Sequence, residues 1–204
     1  MKRWSSLSAY FLSKLTGQLQ PMTFSEASCT GLMDREDLQW HPGLLNLLGI
    51  SPITLPALCD IDDLYKGSMS PEYRKRWPEL NGTAWARGIA EPAAFSVGAG
   101  CNGGGRPRVC VHMGNTEASI RVCMSSKQAH RQYSSSKSGS GHTQHAGQVP
   151  ENGDKRTDER SAQSSSGLCL FTVKRDTVLV GGSLADGGCI YAWGTQQLAG
   201  TCLL

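Results

Sequence analysis

The sequence predicts a mixed α/β fold, on three observations. The first third carries short apolar stretches at helical spacing, closed by glycine or proline. The last half carries two pairs of short apolar or β-branched runs, each pair separated by a polar turn. Three glycine-rich segments lie beside these runs, in the order Gly88 to Gly100, Gly114-Asn115-Thr116 and Gly181-Gly182-Ser183.

In chain order, Tyr10 to Leu15 has helical spacing, and Gly17 is its stop. Pro42 suits the first turn of a short helix bearing Leu44, Leu45, Leu47 and Leu48 and ending near Gly49. Pro52 and Pro56 break regular structure, so 51–63 reads as a connection with a short extended piece. Ser70-Pro71-Glu72 starts a helix of one or two turns over Tyr73 to Trp77, before Pro78. Arg108 to Met113 and Ser119 to Met124 flank Gly114-Asn115-Thr116-Glu117 as a hairpin. Leu168 to Val173 and Thr177 to Val180 repeat that pattern around Lys174-Arg175-Asp176, and both hairpins are expected in one sheet. Val111, Val122, Leu170 and Val180 are its expected apolar faces. Between the hairpins, 125–166 has almost no large apolar residue. Too little surface can be buried there to offset ordering entropy, so the segment reads as a disordered insert.

Composition excludes several classes of function. The chain has 204 residues, a mean hydropathy of −0.31 and a net charge of +3, too small a charge to imply a nucleic-acid partner. The insert mixes Lys and Arg with Asp and Glu and offers only Tyr133 for base stacking, which also argues against RNA. No apolar run is long enough to span a membrane. Met1-Lys2-Arg3 resembles the start of a transit peptide, but the helix after it favours an internal segment and a cytoplasmic setting. The eight cysteines show neither a C-x-x-C pair nor a zinc spacing, so no metal site is expected. They read as buried, reduced thiols of an intracellular protein.

The glycine segments and their flanks carry a resemblance. Ser25-Glu26-Ala27-Ser28-Cys29-Thr30-Gly31-Leu32-Met33-Asp34, Trp40, Leu44-Leu45 and Leu48-Gly49-Ile50 lead into Gly88 to Cys101. Val111 to Thr116 with Arg121-Val122 follows, and then Leu179 to Leu184 with Asp186-Gly187-Gly188 and Trp193. In order and combination these stretches resemble the FGGY carbohydrate kinases of the gluconokinase-like and xylulokinase-like branches. The resemblance implies part of an actin-like ATPase (ribonuclease H-like) fold. Residues 1–103 would be the C-terminal part of the first kinase domain. Residues 104–204 would be the N-terminal part of the second, with the insert at 125–166.

It also implies ATP-dependent phosphorylation of a sugar or polyol hydroxyl, with Mg²⁺. Glu91 occupies the position of the family's catalytic aspartate. Its extra methylene displaces the carboxylate by about 1 Å, a shift that can cost about 100-fold in rate. Pro92 follows it and is expected to push Glu91 toward extended backbone angles. Gly114, Asn115 and Thr116 stand where the family binds phosphate, with Glu117 opposing the phosphate charge; Arg121 either compensates that charge or, as is commoner for an arginine on a short strand, faces solvent. Gly181 and Gly182 stand near the nucleotide. The family's D-x-G-T/S loop and adenosine segment have no counterpart here, which predicts a truncated or decayed kinase. The alternative is a non-catalytic remnant that acts as a binding or interaction protein.

Overall fold

A computed structural model describes residues 3–101, 108–114, 117–129, 131, 168–185 and 187–199. They form two compact units, Met1–Gly100 with Phe171–Leu179, and Cys101–Leu170 with Val180–Leu204.

The first unit opens with α1 (Leu7–Thr16), whose Ser6 cap accepts the Ala9 N–H. Gly17 ends it in the left-handed conformation (φ 72°), donating its N–H to Ser13 O, the αL closure that glycine permits without a Cβ clash. Strand β1 (Met22–Thr23) leads directly into α2 (Phe24–Ser28). A capping box joins them: the Thr23 hydroxyl accepts the Glu26 N–H, and the Glu26 carboxylate accepts the Thr23 N–H. Strands β2 (Met33–Asp34) and β3 (Gln39–Trp40) form a small antiparallel pair, and α3 (Pro42–Leu47) follows with Pro42 in its first turn. The expected extended piece is β4 (Leu58–Cys59), which pairs in parallel with β1. α4 (Pro71–Arg76) stops at Trp77, before Pro78. The core gathers Met22, Phe24, Ala27 and Met33, with Leu38, Trp40 and Leu58 packed against them. α5 (Glu91–Gly98) closes this stretch of chain.

The second half forms one four-stranded sheet from β5 (Val109–Met113), β6 (Glu117–Ser125), β7 (Cys169–Lys174) and β8 (Thr177–Ala185), in the order β5-β6-β8-β7. Both expected hairpins therefore share a sheet. β5 and β6 run antiparallel from Val109 opposite Val122 to Met113 opposite Ala118.

Four features depart from the sequence reading. Val111 is 61 % exposed, and Val109, Met113 and Ile120 are exposed with it, while Cys110, Ser119, Arg121 and Cys123 occupy the buried face. The insert boundary also moves. β6 takes in Ser125 and residues 126–129 are helical, because the Ser125 hydroxyl accepts the Gln128 N–H while Gln128 Oε1 accepts the Ser125 N–H. The rest of the expected insert, 130 and 132–166, lies outside the described residues. A helix that the sequence did not announce, α6 (Gly187–Ala199), begins at the glycine pair after β8. Finally, Glu91 is itself the first residue of α5, and the extended angles fall on Ala90 (φ −63°, ψ 144°). Pro92 lies in the first helical turn, where its missing N–H has no intrahelical acceptor to lose.

Candidate functional site

Glu91 is exposed at the N-terminus of α5. The backbone leading to it is held from below by the motif that begins at Ser25. Ser25 Oγ accepts the Ala90 N–H at 3.1 Å, and Thr23 Oγ1 donates to Gly88 O at 2.8 Å. Ser25 and Thr23 are each 0 % exposed, so both hydroxyls are shielded from water. Buried hydrogen bonds of this kind are costly to break and fix a backbone path.

Glu26 adds a second layer. Its carboxylate accepts from the hydroxyls of Ser6 (3.0 Å), Ser8 and Thr23 (3.3 Å), tying α1 to α2. Gly88 lies against this cluster, and a Cβ there would meet the Ser8 side chain and Glu26 Oε1. Arg87 fixes the next residue back, donating from Nε to Asp63 O (2.6 Å) and from Nη1 to Gln20 Oε1 (2.9 Å). A shallow cavity of about 180 Å³ opens beside these residues, lined by Phe11, Leu12, Pro21, Trp85, Arg87 and Gly88 among others. Glu91 is not part of its wall.

At the C-terminal end of α2, Ser28 Oγ donates to Thr172 O and accepts the Thr172 N–H (3.4 and 3.3 Å). Asp60 accepts the Arg175 N–H, and Lys174 Nζ pairs with Asp62 at 3.4 Å. The stretch from Ser25 to Ser28 thus braces both the approach to Glu91 and strand β7.

The remaining expected positions belong to the second unit. Gly114 follows the end of β5, and Asn115 and Thr116 lie outside the described residues. Arg121 is 3 % exposed on the inner face of β6, opposite Cys110, which corrects the expectation that it faces solvent. Sheet alternation sets its side; the covering of that side buries it. Gly181 and Gly182 lie inside β8. A Cβ on Gly181 would collide with Ile120 O and the Arg121 backbone, so Gly181 serves the close approach of β8 to β6. Among the described residues, no group of three His, Cys, Asp or Glu could hold a metal ion. The described residues therefore present a carboxylate on a braced helix start.

No protein-family profile and no curated sequence matches the chain. Solved structures do. The ligand-bound xylulose kinase from Lactobacillus acidophilus superposes with a TM-score of 0.66 at 19 % identity, over 97 % of this chain and 32 % of that one. The chain shares its fold with part of this kinase. Gluconate kinase from the same organism gives a TM-score of 0.65 at 19 % identity, over 96 % of this chain and 32 % of its own. Plasmodium falciparum glycerol kinase with ADP gives 0.62 at 15 % identity, over 95 % and 32 %. The chain thus spans about a third of the length of the solved kinases it matches. Among the described residues, no helix of this sugar-kinase-like chain is long and apolar enough to cross a membrane.

Sequence reasoning found Glu91 and the Ser25 motif but not their connection. Thr23 and Glu26 were legible as a capping box, T-x-x-E, just before an apolar run. Nothing in the sequence signalled that Thr23 also reaches Gly88, 65 residues away.

Proposed function

We propose that this chain is a carbohydrate-kinase-like protein of the FGGY type, related to cytoplasmic enzymes of ATP-dependent sugar or polyol phosphorylation, and that this polypeptide by itself does not turn over. Its fold would be the actin-like ATPase one, with residues 1–103 ending the first kinase domain and 104–204 beginning the second, interrupted by an insert up to residue 166. One observation carries the reading. Glu91 opens α5 on a backbone braced by the buried hydroxyls of Ser25 and Thr23. A carboxylate held this way can accept the proton of a substrate hydroxyl as that oxygen becomes a nucleophile. Asn115 and Thr116, with Gly114, are the proposed phosphate contacts, and Gly181 and Gly182 the proposed nucleotide-proximal pair.

A second reading is a non-catalytic protein that keeps the sugar-kinase fold to bind a polyol or a protein partner. The packing of Gly181 against β6 favours it, as does glutamate in place of aspartate. Saturation-transfer NMR with gluconate, xylulose, ribulose and glycerol tests the part common to the enzyme and the polyol binder. Transfer to one of the four that Glu91→Gln weakens supports the assignment. Absence of transfer to all four removes polyol recognition by this chain.

A further inference from the structure

The cavity beside Gly88 lies within the first unit, and Glu91 is not in its wall. Two stretches of chain build it. Ser8, Phe11 and Leu12, spaced i, i+3 and i+4, share one face of α1. Trp85, Arg87 and Gly88 line it from the segment that leads to Glu91. Trp85 is anchored through its backbone, donating to Tyr65 O at 2.8 Å and accepting the Tyr65 N–H at 3.0 Å. Gly88 permits the close approach of the two stretches, since a Cβ there would collide with the Ser8 side chain.

Arg87 supplies the charge. Its guanidinium is half-buried and held by two neutral acceptors, Asp63 O through Nε and Gln20 Oε1 through Nη1. Gln20 is itself buried and is fixed in turn by donating to Thr16 Oγ1 at 3.0 Å. The fork is therefore oriented, while among the described residues no carboxylate oxygen is bonded to it. Two carboxylates stand nearby with partners of their own. Glu26 accepts from Ser6, Ser8 and Thr23, and Asp63 accepts the Asp60 N–H. Neither belongs to the cavity wall.

We propose that this cavity is a binding site for a small aryl carboxylate, with the ring against Phe11, Leu12 and Trp85 and the carboxylate on Arg87. Its volume of about 180 Å³ slightly exceeds the roughly 150 Å³ that accepts a benzene ring in an apolar protein cavity. Aromatic walls favour a ring through offset or edge-to-face contact. The Arg87 Nη2 carries two N–H donors that neither described bond uses, and a carboxylate takes such donors in charge-assisted bonds. The wall holds a single cation, and the Ser8 hydroxyl is already given to Glu26. That donor set matches a monoanion and is too small for a phosphate group. Binding here requires neither a nucleotide nor Glu91, so this site and the kinase reading stand or fall separately.

The test is a titration of the isotope-labelled full-length chain with benzoate, followed by NMR, with benzamide as the uncharged counterpart. The reporters are the Gly88 amide and the Trp85 indole, the latter identified by its loss in Trp85→Phe. Benzoate should shift both saturably, and benzamide should bind at least about tenfold more weakly for want of the charge-assisted bond. Phe11 is 59 % exposed, so Phe11→Ala should keep the fold and weaken benzoate about three- to tenfold. Arg87→Gln should abolish the preference for benzoate; if that variant fails to fold, benzamide and Phe11→Ala still decide. Equal affinity for benzoate and benzamide would overturn the proposal. So would unchanged benzoate affinity in Phe11→Ala, or the lack of a saturable shift at Trp85 and Gly88.

Discussion

Ser25 Oγ accepts the Ala90 N–H at 3.1 Å, one residue before Glu91, and Ser25 is fully buried. Removing that acceptor strands a buried donor, at a cost of about 1–3 kcal/mol. Ser25→Ala is therefore expected to destabilise the chain by that amount in urea unfolding. Ser25→Cys, similar in size but a weaker acceptor, should fall between.

Thr23 does two jobs, capping α2 and donating to Gly88 O. Loss of an N-cap hydroxyl alone costs about 0.5–2 kcal/mol. Thr23→Val keeps the shape, removes both bonds, and should exceed the cap cost alone. Thr23→Ser keeps the hydroxyl and should stay near the parent, and equal destabilisation by Thr23→Val and Thr23→Ser would argue against a contribution from the hydroxyl's two bonds.

Two glycines should respond oppositely to alanine. Gly181 faces the backbone of Ile120 and Arg121, which cannot yield like a flexible side-chain tip, so Gly181→Ala should destabilise by at least about 1–3 kcal/mol. A Cβ on Gly98, at the end of α5, meets nothing within 4 Å. Gly98→Ala is expected to be neutral or stabilising by up to about 1 kcal/mol. Thermal unfolding of the two variants decides.

Burial raises the Cys59 thiol from 9.0 to about 11, against the opposing charge of Arg87. The unfolded thiol ionises first, so the unfolded state holds fewer protons between those values. The stabilising contribution is complete below about pH 9 and is lost as pH rises toward about 11. The urea midpoint of the parent should fall more steeply through that window than that of Cys59→Ala.

How much of this was legible in the sequence depended on the kind of signal. Proline and glycine fixed α1, α3 and α4, because the pyrrolidine ring and the left-handed cap are local constraints. The two hairpins were equally clear from their turns. Alternation along β5 and β6 told which residues share a face but not which face is covered, so Val111 was placed inward although Cys110 and Arg121 are the buried ones. α6 was missed because it begins with Gly187-Gly188, residues that read as a turn. Gly187 lies instead against Ala118, where a Cβ would collide. At the candidate site, Glu91 was visible by position. Its bracing was not, since the bonds from Thr23 and Ser25 join residues 65 apart.

The D-x-G-T/S loop and adenosine segment of the family it resembles have no counterpart in the sequence, and Glu91-Pro92 stands at the catalytic aspartate's position. The purified chain is therefore expected to release no ADP above background with gluconate, xylulose, ribulose or glycerol, and substrate-dependent release well above background would contradict this.

The role of Glu91 is tested most directly in a chimera. Residues 3–199 replace the matching third of the Lactobacillus acidophilus xylulose kinase, which supplies the rest of the fold. Phosphorylation is then measured for the chimera, for Glu91→Gln, and for Glu91→Asp combined with Pro92→Gly. A working general base contributes about 100-fold or more to kcat, so Glu91→Gln should lose at least that much with little change in nucleotide KM. The double substitution should raise kcat, since aspartate shortens the reach and glycine frees the first turn of α5. Equal kcat in a folded chimera with glutamate, glutamine or aspartate at residue 91 would contradict the account.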